Sequence, residues 1–239
     1  MTAIPHATAP GPIVDRDAVR DIAPMLLGLL PFAVVIGVTM AGLGIDLATG
    51  LTVSFLLYGG SVQVAMLALI GSGSGIVVAA LTAAIVNARL LLYGASLAIR
   101  FQGQPTWFRW LGPHTIVDQT CTAATARREL DDPSRFRRYW LTAGAVLAVG
   151  WLSGIAAGMA IGPAMPASSP LDVATGALFV ALLVPRLTDR VAALTALVAS
   201  VTAVATVGLP NGAGLLVSIA AGVTLAVVTT RDTDRSRRR

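Results

Sequence analysis

The chain has 239 residues, of which 55% are hydrophobic and 12% charged, with a mean hydropathy of +0.78. A soluble domain carries roughly 25% charged residues, so this composition excludes a protein that must cover itself with a polar shell and points to a lipid-facing surface. The net charge of +5 and pI near 10.6 come without a basic face interleaved with aromatics, which argues against nucleic-acid binding, and the single cysteine, Cys121, excludes an intrachain disulfide framework and a thiolate metal cluster.

In chain order, residues 1–20 are Pro-rich, mixed in charge and without the apolar core of a signal peptide, and are expected to form a disordered tail. A membrane span needs roughly 20 apolar residues to cross about 30 Å of hydrocarbon. Candidates lie at 22–44, 48–70, 76–98, 138–161, 171–187, 191–209 and 213–229. The expected fold is all-α, a polytopic membrane bundle of seven or eight transmembrane helices forming one domain over 21–230, with a basic cytoplasmic tail at 231–239. The eighth candidate, 111–126 (LGPHTIVDQTCTAATA), carries His114 and Asp118 and is too polar for a lipid-exposed helix. It reads as a cytoplasmic amphipathic helix, a re-entrant segment or a span buried among others.

All 17 basic residues are arginines, and most fall in the gaps between apolar runs. An excess of cations marks the cytoplasmic side, which places 127–138 (RRELDDPSRFRR), the 186–190 turn and the C-terminus inside. The first half resists the same treatment. Eight spans put the N-terminus inside and strand Arg100 and Arg109 outside; seven put it outside and strand Arg16 and Arg20. An internal echo, Asp46-Leu-Ala-Thr-Gly50 and Asp172-Val-Ala-Thr-Gly176, suggests two related halves. These would be inverted with seven spans and parallel with eight; chance placement of two Asp N-caps gives the same pattern.

The first span contains Pro24 and Pro31, and each proline removes one helical hydrogen bond. The sequence therefore predicts either a packing kink or a broken helix whose free carbonyls line a substrate site. In the second span, Gly59, Gly60 and Ser61 permit close backbone approach, and Gln63 must face a substrate or a partner helix, because an unsatisfied buried amide costs several kcal/mol. The third span places Asn87 near its centre and Arg89 eleven residues before Arg100, about 16 Å from the helix end. Arg89 needs a carboxylate, carbonyls or a cavity. Being two apart, Asn87 and Arg89 are expected on nearly opposite faces, with Tyr93 one turn from Arg89. Asp118 is the candidate partner for Arg89 or a proton carrier, whereas Asp46 and Asp172 read as helix caps.

The G-G-S-V-Q of 59–63, the V-N-A-R-L-L-L-Y-G of 86–94, the V-D-Q-T of 117–120 and the Pro-containing first helix resemble the AzlC family, large subunits of bacterial branched-chain amino-acid exporters. The resemblance implies an exporter in the bacterial inner membrane, a small AzlD-type partner subunit and an amino-acid substrate. It implies no cofactor, and no G-x-x-x-x-G-K-[ST] nucleotide loop is present. Where the family has an Asp-Glu pair, this chain has Asp118-Gln119. The candidate substrate-binding residues are then Pro31, Gly59, Gly60, Ser61, Gln63 and Asn87, with Arg89, Asp118 and Gln119 as coupling or structural groups. Export is expected to be secondary and proton-coupled. The residues also leave open a non-transporting membrane scaffold, a transporter of a different small solute, and an intramembrane hydrolase pairing Ser61 with His114.

Overall fold

A computed structural model of the chain describes residues 14–164, 187, 189–209 and 213–237. Among these, all regular structure is helical. It comprises α1 (Arg16–Gly42), α2 (Leu47–Leu56), α3 (Gly60–Gly71), α4 (Ile76–Phe101), α5 (Thr106–Leu111), α6 (Asp118–Thr125), α7 (Pro133–Ile161), α8 (Arg190–Ala205) and α9 (Ala213–Arg237), with short 3-10 turns at Gly112–Thr115, Arg128–Asp131 and Gly162–Ala164. Three helices, α1, α4 and α7 with its following turn, are long and apolar enough to cross a membrane; α2, α3, α8 and the Ala213–Thr229 part of α9 are shorter apolar helices. The candidate span at 171–187 and the second copy of the echo, 172–176, fall outside the described residues but for Leu187.

Aspartates start four of the helices by accepting from backbone N–H groups that have no partner within the helix. Asp15 caps α1, Asp46 caps α2, Asp132 caps α7 and Asp189 caps α8. The Asp15 cap starts α1 at Arg16, so the helix occupies part of the stretch expected as a tail to residue 20. Asp15 is also fixed from outside, because its own N–H donates to Thr142 Oγ1 on α7 (3.1 Å).

The frame of the fold is the pair α1 and α7, which run parallel along their whole lengths. Asp15 meets Thr142 at one end, and Gly162 follows α7 against Ala41 at the other. Between them, small residues let the backbones touch, as helix association in lipid favours. A Cβ at Gly37 would collide with the Ile155 carbonyl, and one at Gly158 with the Val34 carbonyl. We call the end holding the first turns of α1 and α7 basal and the opposite end apical.

The second candidate span does not run through. α2 ends at Leu56 and α3 begins at Gly60, with Leu57, Tyr58 and Gly59 between them. Both outer ends of this unit are apical: Gly50 lies against Met40 and Met159, and Gly71 lies beside Leu43. Its tip is at mid-height, where Gly60 packs so closely against Phe32 of α1 and Trp151 of α7 that a Cβ there would force the rings to shift. Residues 47–71 thus form a hairpin that enters from the apical end and returns. Of the two readings of Pro24 and Pro31, a packing kink or a broken helix, the broken helix is not formed, since α1 continues through both. A proline forfeits one bond and can be carried inside a helix, whereas the paired glycines let the tip wedge between two packed helices.

A second hairpin enters from the basal end. α4 descends to Phe101, which stacks on Phe108 (5.3 Å between ring centroids). The chain then climbs α7 in steps: Phe108 beside Phe136, the Gly112 carbonyl accepting from Trp140 Nε1 (2.8 Å), and Thr115 against Gly144. It turns at Ile116 and Val117 and descends as α6, whose lower end is held where Arg100 donates to the Ala124 carbonyl (2.6 Å). Segment 111–126 therefore enters and leaves at the same end. In the C-terminal part, α8 and α9 form an antiparallel pair with Gly214 beside Thr206 and Gly222 beside Ala199. α9 extends to Arg237, through most of the stretch expected as a tail from 231.

If the glycine seam holds the frame, Gly158→Val costs about 3 kcal/mol, the upper end of the overpacking range, because the new atoms meet backbone. Thermal unfolding of the detergent-solubilised protein checks this, with Gly28→Ala, where nothing lies within reach, expected near wild type.

Candidate functional site

The tips of the two hairpins meet at mid-height, where the His114 ring stacks on Tyr58 (5.9 Å) and tilts against Phe55 (4.8 Å). Beside this contact lies a cavity of about 400 Å³, within the roughly 300–1,000 Å³ range of small-molecule sites. The first hairpin contributes Tyr58, Gly59, Gly60 and Ser61; the second contributes Val117, Asp118 and Gln119. α4 adds Asn87, Arg89 and Leu90, while the frame supplies an apolar wall of Leu29, Phe32, Leu147 and Trp151.

Arg89 ties the hairpin tips together. One guanidinium nitrogen donates to Asp118 Oδ2 (2.9 Å) and the other to Ser61 Oγ (2.7 Å). The Asp118 and Arg89 side chains are 18% and 35% exposed. Opposite charges in contact make the site dipolar and close to neutral. Asp118 and Ser61 both sit in the first turn of a helix, α6 and α3 respectively, where N–H groups lack internal partners and the helix dipole favours negative charge.

Several polar groups around the cavity are uncommitted. The side-chain amides of Asn87 and Gln119 line it without a hydrogen bond to another described residue. Among the described residues, the buried Tyr58 hydroxyl, Arg89 Nε and Trp151 Nε1 have no partner. All are carried by cavity-lining side chains. Buried polar groups are normally paired, so a site with this many spare donors next to an apolar wall suits a small polar ligand with an apolar part.

Most of the residues singled out in the sequence converge here, with three corrections. Pro31 is exposed on α1 and does not line the cavity; its neighbours Leu29 and Phe32 do. Gln63 is buried away from the cavity, and its amide donates to the Ser54 and Leu57 carbonyls (3.2 and 3.5 Å). Those carbonyls belong to the interrupted end of α2, so Gln63 stitches the break. Asn87 and Arg89, expected on nearly opposite faces, both line the cavity. Ser61 Oγ is bonded to Arg89 and His114 lies on aromatic rings, so the Ser61–His114 pair of the hydrolase reading is not formed. The aromatic pair Phe32 and Trp151 (5.7 Å, edge-on) was not singled out, and only its contact with the hairpin tip reveals it.

Residues 24–165, more than half of the chain and including every cavity-lining residue, match the sequence profile of the AzlC protein family. The chain belongs to the AzlC family. It is 29% identical over 123 residues to the inner membrane protein YgaZ of Escherichia coli strain K12, covering 50% of this chain and 49% of YgaZ. The chain thus spans about half the length of this curated relative in the matched region. No solved structure matches it.

A double-mutant cycle measures the bridge. Arg89→Gln and Asp118→Asn together should destabilise less than the sum of the two, with a coupling of about 1–3 kcal/mol in thermal unfolding. A coupling indistinguishable from zero would mean that the pair does not hold the tips.

Proposed function

We propose that this AzlC-family protein is a secondary exporter of branched-chain or other hydrophobic amino acids in the bacterial cytoplasmic membrane, working with a small AzlD-type subunit. The observation that carries this reading is the dipolar, near-neutral cavity enclosed by two hairpin tips and walled by apolar side chains. A zwitterion matches such a site without leaving a charge unpaired. Its carboxylate fits the first turn of α3 and the Asn87 amide, its ammonium fits Asp118 and the Gln119 carbonyl oxygen, and its aliphatic side chain fits Leu29, Phe32, Leu90 and Leu147. Helix ends that present backbone groups at mid-membrane are a recurring way for transporters to hold charged substrates.

The two hairpins also support a membrane arrangement that the sequence left in conflict. With 47–71 re-entrant from outside and 102–127 re-entrant from inside, only α1, α4 and α7 cross in the first 164 residues. The basal end is then cytoplasmic, and Arg16, Arg20, Arg100, Arg109 and the 127–138 arginines all share it, as the positive-inside rule asks. The antiparallel pair α8 and α9 would then cross in opposite directions. Broken backbone at membrane depth is tolerated where protein encloses it, which is the situation of both tips.

Proton coupling has a candidate in Asp118. It is the carboxylate among the cavity-lining residues and is bonded to Arg89. The direction of transport and the partner subunit follow the family resemblance.

Efflux of labelled leucine, isoleucine, valine and methionine from preloaded cells, with the partner subunit and at two pH values, tests the proposal. Expression should accelerate efflux of at least one of them. Arg89→Ala should slow it by roughly tenfold or more, about 1.4 kcal/mol or more in barrier, at unchanged membrane level. Equal retention of all four with and without the protein would overturn the substrate assignment.

A further inference from the structure

Below the cavity, the second hairpin fills the space between the frame and α4. Val117, Cys121 and Ala124 are buried there, Ala124 completely, and Phe136, Tyr139 and Trp140 of α7 belong to the same buried cluster. A solute leaving the cavity toward the basal end has to pass this segment. Its helix, α6, has only eight residues, too few for an isolated helix to be stable by its own hydrogen bonds. Its position is therefore set by what it is tied to.

The ties fall into two sets. Arg89 holds Asp118 at the tip, and Arg100 holds the Ala124 and Arg127 carbonyls at the base (2.6 and 3.1 Å). Both arginines are on α4, so these bonds join the hairpin to α4 and would travel with it. The other set joins the hairpin to the frame: its climbing limb is bonded to α7, where the Gly112 carbonyl accepts from Trp140 Nε1, Gln104 Nε2 donates to the Pro133 carbonyl and Arg137 donates to Gln104 Oε1 (2.8, 2.8 and 3.0 Å), and its descending limb ends in a separate contact. Arg127, just beyond α6, donates from Nε and a terminal nitrogen to the two oxygens of Asp21 on α1 (2.6 and 2.9 Å), and Tyr139 on α7 donates to the same carboxylate (2.7 Å). A two-pronged arginine–carboxylate bond of this kind is among the stronger and more directional polar contacts. It crosses the boundary between the glycine-packed pair and the hairpin.

We propose that the second hairpin is the inner gate of the cavity and that the Asp21–Arg127–Tyr139 cluster is its latch to the α1/α7 frame. The inference rests on the transport reading for its purpose, but its test does not depend on a substrate. The latch closes the basal route in the state described, and its release lets α6 and α4 move from the frame without breaking the Arg89 bridge, while the climbing limb of the hairpin stays bonded to α7. Asp17 and Glu129 each add a longer contact to Arg127 (3.6 Å in both cases), and Arg135 pairs with Asp17 (3.3 Å).

The test uses the full chain with its sole cysteine removed (Cys121→Ser) and a reporter cysteine on the cavity wall (Leu90→Cys). The rate of labelling by a membrane-impermeant thiol reagent is read from each side of oriented vesicles. Asp21→Asn or Arg127→Gln should raise labelling from the cytoplasmic side by about tenfold, as expected when a minor open state gains population, with no rise from the other side. Tyr139→Phe, which keeps the ring and removes one bond, should give a smaller rise of the same sidedness. The exchanged pair Asp21→Arg with Arg127→Asp should return labelling toward the parent rate. Unchanged labelling in Arg127→Gln and Tyr139→Phe, or an equal rise from both sides, overturns the latch. Failure of efflux with the expected labelling pattern overturns the substrate reading alone.

Discussion

A guanidinium near the middle of an apolar bundle can stay there only if the fold supplies it with partners, since burying it alone costs several kcal/mol. Arg89 is that group. Its two terminal nitrogens are answered by Asp118 and Ser61, each in the first turn of a helix that begins at mid-height rather than at an end of the bundle. The two interrupted segments and the arginine require one another. Without the hairpin tips the charge has no partner, and without the charge the tips have little polar reason to meet. The cavity is the space left where these three elements join the α1/α7 frame.

That frame is a matter of shape rather than charge. Gly37 and Gly158 bring the backbones of α1 and α7 into contact, and the same pair offers Phe32 and Trp151 as the seat for the first hairpin. The bonds from α4 to the second hairpin lie on one side of the cavity, and the Asp21–Arg127 contact ties that hairpin back to the frame. The fold is thus a close-packed pair facing a more loosely joined unit, with the cavity at their boundary.

The sequence made some of this legible and hid the rest for identifiable reasons. Arg89 and Asp118 could be matched because they are the charges that fall away from segment ends, and the Asp46 cap was readable from position alone, whereas the caps at Asp15, Asp132 and Asp189 were not singled out. The hairpins were not. Hydropathy counts apolar residues and does not sense direction, so 48–70 looked like a span although Gly59 and Gly60 turn it back. Pro31 drew attention because proline is the residue that breaks helices, yet the break went to the glycines. Gln63 was rightly expected to need a partner, but that partner is the carbonyl end of α2. The clearest sequence sign of the fold was the conflict itself: no count of straight spans placed Arg16, Arg20, Arg100 and Arg109 together, and two returning segments do.

The account stands on those two returns. Single cysteines in a Cys121→Ser background, placed at Leu47 and Gly75 for the first hairpin and at Gln102 and Ala126 for the second, can be labelled from either face of the membrane with an impermeant reagent. Leu47→Cys and Gly75→Cys should react only from outside, and Gln102→Cys and Ala126→Cys only from the cytoplasm. Reaction of the first two from opposite faces would make 48–70 a true crossing and contradict the arrangement on which the site depends.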